Sequence, residues 1–85
     1  MHNGFGKVRS VVLRNPDISI GAKGLYAYLS SFADARGELF VSVYRMAEEN
    51  DVSESTIKRL LTELREKNII QRKTGLKKTT ITRIL

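Results

Sequence analysis

The sequence predicts an α+β fold that is mainly helical and ends in a β-hairpin. Apolar residues recur at helical spacing in three separate stretches before residue 68, and two β-prone stretches follow them. Short polar or glycine-containing clusters separate these stretches. A chain of 85 residues is long enough for one small domain with a thin core, so we expect residues 1–85 to form a single domain.

The segment before residue 18 is predicted to be extended. Residues 5–13 (FGKVRSVVL) are β-prone, and we expect them to form an extended arm or a short strand that packs on the domain. The tripeptide Asn15-Pro16-Asp17 then favours a turn. The residue before proline avoids the helical region, and Asp17 can bond its own backbone.

The first long helix is predicted to begin after Ser19, its N-cap, and to run to about Ala35. Gly24 inside this helix costs about 1 kcal/mol relative to Ala, so we expect it to mark the close approach of another element. Gly37 is expected to stop the helix, and residues 38–41 are expected to be extended. The apolar face of the helix comprises Ala22, Leu25, Tyr26, Leu29, Phe32 and Ala33.

Residues 42–64 predict two short helices joined by a tight turn. Ser42 is the expected N-cap of the first helix and Ser53 that of the second. Asn50-Asp51 breaks the helical pattern with residue types that tolerate turn and left-handed backbone. The second helix carries an apolar stripe at i, i+3, i+4 and i+7, formed by Ile57, Leu60, Leu61 and Leu64.

Two predicted strands, residues 69–73 and 79–85, follow the second helix, with a glycine-containing loop at 74–78 between them. This order of elements is that of a winged helix-turn-helix, with three helices, a C-terminal β-hairpin wing and a short N-terminal extended segment. The usual helix-turn-helix pattern has Leu and Gly where this chain has Asn50 and Asp51. Asp51 is therefore expected to adopt a turn conformation that Gly reaches more easily.

Positive charge is concentrated in the last third of the chain. Residues 58–85 contain nine Lys or Arg and two Asp or Glu, whereas residues 1–57 contain six and seven, and the whole chain carries +6. A solvated surface that keeps the protein in solution would explain this, but we favour a face that binds a polyanion. The polar side of the second helix in the pair is short and cationic, as a helix that reads a DNA groove needs to be.

Nine residues are candidates for contact with double-stranded DNA. Lys58 and Arg59 lie one turn into that second helix, where Arg59 can bond guanine through two hydrogen bonds. The others lie at the start of this helix, farther along its polar side, or around the hairpin loop, where side chains can reach phosphates. The set is Ser53, Ser55, Thr56, Lys58, Arg59, Arg65, Lys73, Lys77 and Lys78.

Other function classes find no support in the sequence. The one histidine is His2, Cys is absent and the carboxylates are scattered, so we expect no enzyme activity, catalytic residue, metal site or cofactor. No stretch is apolar and long enough for a membrane span or a signal peptide, and we expect a cytoplasmic protein. Because the chain ends on Ile84-Leu85 within a predicted strand, we expect a domain of a longer protein.

Four features of the wider chain indicate a particular family. They are a basic extended lead-in, the N-P-D turn at 15–17, the pattern A-K-x-L-Y-x-Y-L at 22–29 and the pattern S-x-S-T-I-K-R-L-L-x-E-L at 53–64. Over roughly residues 4–75, the chain resembles the N-terminal winged-helix domain of replication initiator proteins from plasmids, phages and other mobile elements. The resemblance implies sequence-specific binding of duplex DNA, often as a homodimer on repeated sites. It also implies contact with host replication proteins through a C-terminal domain outside these residues.

Two alternatives remain open. The same fold serves transcriptional regulators, and a fold does not fix a function. A winged helix can also serve in protein interaction or oligomerisation. That alternative predicts no salt-dependent affinity for DNA and an exposed apolar patch built from Val11, Leu13, Leu76 and Ile84.

Overall fold

The predicted α+β winged helix-turn-helix is confirmed by a computed structural model, which describes residues 8–74 and 80–85. These residues form four helices and a three-stranded antiparallel sheet. No helix among them combines the length and the apolar character that a membrane crossing requires. In chain order the elements are α1 (Ser10–Leu13), α2 (Ile20–Ser30), β1 (Glu38–Leu39), α3 (Val43–Asn50), α4 (Glu54–Glu66), β2 (Ile70–Thr74) and β3 (Thr80–Ile84).

All three predicted N-caps are confirmed. Ser19, Ser42 and Ser53 precede α2, α3 and α4, and each hydroxyl accepts a hydrogen bond from the backbone N–H three residues later, at 3.1, 3.0 and 3.1 Å. Each cap satisfies one of the N–H groups that the first helical turn leaves without a partner. The starts of these helices are therefore set by local sequence.

The N-terminal segment corrects one prediction. The prediction of an extended arm or short strand over residues 5–13 is wrong for Ser10–Leu13, because these residues form the short helix α1. Val12 of this helix is buried in the core, and the N–H of Arg9 just before it donates to the Tyr26 hydroxyl at 2.9 Å. These tertiary contacts outweigh the β preference of the valines, which depends strongly on packing context. Residues 5–7 lie outside the described residues.

Helix α2 is shorter than predicted and ends at Ser30 instead of near Ala35. The Ser30 hydroxyl donates to the Tyr26 carbonyl at 2.8 Å, and the Ser31 hydroxyl donates to the Tyr28 carbonyl at 2.6 Å. Serine hydroxyls that bond carbonyls of the preceding turn compete with the backbone ladder. Two consecutive serines of this kind account for the early end.

The Asp34 carboxylate organises the turn between α2 and β1. Its Oδ1 accepts hydrogen bonds from the N–H groups of Glu38 at 3.0 Å and Arg36 at 2.8 Å, and these bonds lower the pKa of Asp34. Gly37 lies within this turn and has a φ of +80°, in the left-handed region that favours glycine. Gly37 therefore serves the entry into β1 and not the end of α2, which corrects the predicted helix stop.

The turn between α3 and α4 contains the predicted left-handed residue. Asp51 has φ 55° and ψ 47°. The N–H of Val52 donates to the Ala47 carbonyl at 3.1 Å, and the N–H of Asp51 donates to the Glu48 carbonyl at 3.4 Å. This pair of bonds is the Schellman pattern of a helix end. Asn68, at φ 59°, follows α4 in the same backbone conformation.

The core forms where the apolar faces of α2, α3 and α4 meet. Tyr26 and Leu29 of α2 are fully buried, and Phe32 at the end of the predicted stripe is partly buried. Each fully buried large apolar side chain contributes about 1.5–3 kcal/mol relative to an exposed one. The rest of the core comprises Val12, Ile18, Ala22, Leu25, Ala33, Leu39, Val41, Met46, Ala47, Ile57, Leu60, Leu61, Leu64, Ile69 and Ile70.

A polar cluster on the surface ties α3 to α2. Glu49 accepts hydrogen bonds from the Tyr28 hydroxyl at 2.6 Å and from Arg45 Nε at 3.0 Å. The Arg45 guanidinium also lies 5.0 Å from the centre of the Phe32 ring, a cation–π arrangement. Burial and the contact with Glu49 raise the pKa of Tyr28 to about 12, and the neutral hydroxyl is the donor in this bond.

The sheet has the strand order β1-β3-β2, and both neighbouring pairs are antiparallel. Strands β2 and β3 form the predicted hairpin, with Ile70 opposite Ile84 and Arg72 opposite Thr82. Side chains alternate between the faces of a strand, so Arg72 and Thr74 share the face on which Ile70 is buried. This inward face of the hairpin therefore changes from apolar to polar with distance from the core.

Two glycines differ in the space around them. Around Gly24 in α2, no described residue outside the adjoining helix backbone lies within 4 Å of the position that a Cβ would take, so the predicted close approach there is wrong. At Gly37, a Cβ would lie 2.9 Å from the Ile84 carbonyl oxygen. The Gly37 carbonyl also accepts a hydrogen bond from the Ile84 N–H at 2.7 Å. The tight backbone contact of this fold is therefore between the turn before β1 and the end of β3.

Replacing Gly37 with Ala is expected to lower the free energy of unfolding by about 1–2 kcal/mol or more, because it forces an L residue into a left-handed, crowded position. The matched control is Gly24→Ala, which is expected to raise it by about 0.5–1 kcal/mol, since it removes backbone entropy from a helix interior with open space. Urea unfolding followed by circular dichroism measures both. A Gly37→Ala protein as stable as the parent would contradict the assignment of this turn.

Candidate nucleic-acid interface

Helix α4 presents two polar sides that differ in their surroundings. At about 100° per residue, Ser55 and Arg59 lie opposite the buried stripe, and both are exposed. Lys58 and Arg65 lie about a quarter-turn from the buried stripe, on the side of the helix that faces the hairpin. The outward side is exposed, and the hairpin side borders the β2–β3 hairpin.

Two of the candidate residues in the first turn of α4 bond each other. The Ser53 hydroxyl accepts from the Thr56 N–H and donates to the Thr56 hydroxyl oxygen at 3.0 Å. Thr56 is half-buried, whereas Ser55 beside it is exposed. The Ser53 and Thr56 hydroxyls are thus engaged in the cap, and Ser55 carries the accessible hydroxyl of this turn.

A cationic cleft of about 300 Å³ separates α4 from the hairpin, and we term it the α4–hairpin cleft. Lys58 and Arg65 from α4 and Arg72 and Lys73 from β2 are the positively charged residues that line it. Three threonines and Leu61 complete the lining, and none of the described residues that line it is acidic. The cleft therefore has the charge and the hydrogen-bond donors to bind an anion.

Three of the nine candidates, Lys58, Arg65 and Lys73, come together at this cleft. Ser55 and Arg59 stay apart from it on the outward side of α4. Lys77 and Lys78, predicted for the hairpin loop, lie outside the described residues. The candidates in the described residues thus divide into a capping pair, an outward pair and a group that lines the cleft.

Arg72 lines the cleft although the sequence prediction leaves it out. Its Nε donates to the Thr82 hydroxyl at 3.0 Å, and the Arg72 side chain is half-buried. Burial, together with the nearby charge of Arg65, lowers the pKa of Arg72, but an arginine stays protonated at neutral pH. A signal was available in the sequence, because Arg72 stands two residues after Ile70 and so shares its inward face.

Glu63 fixes α4 against α2. One of its carboxylate oxygens accepts from the Ser19 N–H and the other from the Ser19 hydroxyl, both at 2.7 Å. These two bonds lower the pKa of Glu63. Glu63 lies on the side of α4 that faces away from the cleft, so it orients the helix without placing a negative charge among the cleft cations.

The chemistry available at this interface is anion and base recognition. Arginine presents a planar fork that fits a phosphate or the O6 and N7 edge of guanine, and lysine supplies a point charge. In residues 8–74 and 80–85, no group of three or more His, Cys, Asp or Glu side chains gathers as a metal site requires. The interface is therefore described by its cations and hydroxyls.

Comparison with known proteins agrees with the geometry. Residues 17–70 match the family described as helix-turn-helix domain, a segment that runs from the turn before α2 to the first residue of β2. Neither the curated proteins nor the solved structures contain a significant match to the chain. The helix-turn-helix is a DNA-binding motif whose second helix enters the major groove, and α4 is that helix in this chain.

The Glu63–Ser19 contact predicts a specific response to acid. Because the folded state lowers the pKa of Glu63 below its ordinary value of 4.5, the contact stabilises the protein fully above about pH 5. That contribution is lost as the pH falls through the lowered pKa. We therefore expect the free energy of unfolding to decline less steeply between pH 6 and pH 3 in Glu63→Gln than in the parent protein, as measured by urea unfolding at each pH.

Glu66→Gln is the control for this measurement, because Glu66 is an exposed carboxylate at the end of the same helix. Its replacement leaves the Glu63–Ser19 contact in place, so the part of the decline with acid that this contact causes is expected to be kept. Asp34 and Glu49 also have lowered pKa values, but they are common to all three proteins and cancel in the comparison. Identical profiles for Glu63→Gln and the parent would show that the contact with Ser19 contributes nothing in solution.

Proposed function

We propose that this chain, which belongs to the helix-turn-helix domain family, is the sequence-specific DNA-binding domain of a replication initiator of a plasmid, phage or other mobile element. DNA as the partner follows from the family. The observation that carries the proposal is the exposed cationic side of α4 beside a cleft that has no acidic lining residue in the described part of the chain.

The proposed docking places α4 (Glu54–Glu66) in the major groove of duplex DNA. Ser55 and Arg59 then face the base edges, where the Arg59 guanidinium can bond guanine in a bidentate manner. Lys58, Arg65 and Lys73 face the sugar–phosphate backbone. The wing, at about residues 72–80, follows the backbone or the adjacent minor groove.

The initiator role is supported by the first half of the chain, which general winged-helix regulators share less often. In the A-K-x-L-Y-x-Y-L pattern, Leu25, Tyr26 and Leu29 are buried in the core. The Tyr26 hydroxyl also accepts a hydrogen bond from the N–H of Arg9. The basic lead-in and the first helix pattern, two of the four features that carry the resemblance, are therefore in direct contact in the fold. The family match itself is equally compatible with a transcriptional regulator, which uses the same helix pair.

The interaction-module alternative receives partial support. Val11 and Leu13 are exposed on α1, as that alternative predicts. Ile84, however, packs against the hydrophobic core, so the patch does not form as predicted among the described residues. Leu76 lies outside them.

The test is selection of binding sites from a pool of random duplexes, with sequencing, across a salt series. Enrichment of a defined motif supports a specific duplex reader, and half-sites repeated at about one helical turn support binding as a homodimer. A motif that maps to a replication origin supports the initiator role, and one that maps to promoters supports a regulator. Absence of binding at low salt would overturn the DNA proposal and favour the interaction module.

Arg59→Ala is expected to relax the selected motif and to weaken binding to the preferred site by about 1–3 kcal/mol, since one bidentate base contact is lost. Arg36→Ala removes the same charge from the turn beside Ile84, at the end of the hairpin remote from its loop, and should leave the motif unchanged. Repeating the selection with both variants makes the comparison. An unchanged motif in Arg59→Ala would remove Arg59 from the base-reading residues.

Binding to the selected site is expected to weaken steeply with salt. If five to eight cations contact phosphates, the plot of log K against log salt concentration should have a slope of roughly −4 to −7. Fluorescence anisotropy with a labelled duplex at several salt concentrations measures this slope. A slope near −1 would be incompatible with an extended phosphate-contacting face.

A further inference from the structure

The side chain of Arg72 is held in a fixed position at the α4–hairpin cleft. Arg72 stands directly opposite Thr82 in the β2–β3 register, and its Nε donates to the Thr82 hydroxyl at 3.0 Å. Thr82 is completely buried, so the acceptor is held by the packing of the sheet. This is the one hydrogen bond that the Arg72 side chain makes to the described residues. The terminal N–H groups of its guanidinium remain for another acceptor.

The positive charge in the cleft is not compensated by the described part of the protein. Arg65 is close enough to Arg72 to disfavour its charged form, and half-burial disfavours it further. The ion pair within residues 8–74 and 80–85 joins Arg45 to Glu49, and it involves neither of these arginines. Two like charges held near each other, one of them half-buried, oppose folding, and a bound anion relieves that cost.

The cleft also has suitable surroundings for an oxyanion. Lys58 and Lys73 border it from the two elements, and three threonines, Thr62, Thr74 and Thr80, also line it. A single phosphate group offers several acceptor oxygens to such a set of donors. The position of the cleft between the outward side of α4 and the hairpin matches the place where a DNA backbone would pass between a major-groove helix and a wing.

We propose that the α4–hairpin cleft binds one phosphodiester group of the DNA backbone, with Arg72 as the fixed anchor and Arg65 as its second cationic ligand. This inference rests on the proposed function and deepens it, since it names the group bound in the cleft and the residue that holds it. One phosphate held at this point sets how α4 enters the groove. Arg72 thereby determines how Arg59 is placed over the bases without touching a base itself.

The test compares Arg72→Gln with Arg83→Gln. Arg83 lies on β3 opposite Gln71, is exposed, and occupies the face of the sheet away from the cleft, so its variant removes the same charge from the same sheet. Arg72→Gln is expected to weaken binding to every duplex about tenfold and to reduce the magnitude of the salt slope by about 1. Arg83→Gln is expected to change affinity less than twofold.

The decisive measurement uses duplexes in which one phosphate at a time is replaced by an uncharged methylphosphonate. In the parent protein and in Arg83→Gln, replacement at one backbone position is expected to cost about tenfold in affinity. In Arg72→Gln the same replacement should cost less than twofold, because the anchor for that phosphate is already gone. Such coupling identifies the contact independently of any change in stability.

The outcomes separate this inference from the proposed function. If the parent protein binds no duplex at low salt, both fail. If it binds DNA but no methylphosphonate position couples to Arg72, the cleft inference alone fails. A second arm titrates inorganic phosphate while the Arg72 Nε–Hε signal is followed by NMR. Saturation at millimolar phosphate without any coupled backbone position would assign the cleft to a free anion and overturn the proposal.

Discussion

The packing of the apolar stripe of α4 is the constraint on which the interface depends. A chain of this length buries a thin core, and Ile57 and Leu64 of α4 are among its fully buried large side chains. The hydrogen bonds from Ser19 to Glu63 then fix the rotation of the helix about its own axis. With both restraints in place, the outward position of Arg59 and the cleft-facing position of Arg65 follow from helical geometry.

The features that the sequence predicts well are those that adjacent residues determine. A serine that caps a helix bonds an N–H three residues away, so Ser19, Ser42 and Ser53 could be identified from the pattern alone. The left-handed backbone of Asp51 follows from its place between two helical patterns. The helix α1 could not be predicted, because it depends on the contact between the Arg9 N–H and the Tyr26 hydroxyl, 17 residues apart.

The candidate site likewise combines features that adjacent residues determine with features that depend on tertiary contacts. Helical periodicity predicts which residues of α4 are polar and exposed, but it does not predict which of them face the hairpin. Only the position of β2 shows which polar residues face the hairpin. Lys58 lines the cleft and Arg59 does not, although they are neighbours in sequence. The orienting role of Glu63 could not be predicted either, since its partner Ser19 lies 44 residues away. The position of Arg72 could have been predicted, because residues two apart in a strand share a face and Ile70 is an apolar residue of that strand.

The strand order β1-β3-β2 leaves β2 at an edge of the sheet, with backbone N–H and C=O groups that another chain could pair with. Charged side chains on an edge strand oppose such pairing, and β2 carries Arg72 and Lys73 in its outer half. The same cations therefore protect the protein from intermolecular β-sheet formation while no nucleic acid is bound. In the proposed complex these cations also contact DNA phosphates, so replacing them with β-branched apolar residues would favour aggregation and lower the affinity for DNA together.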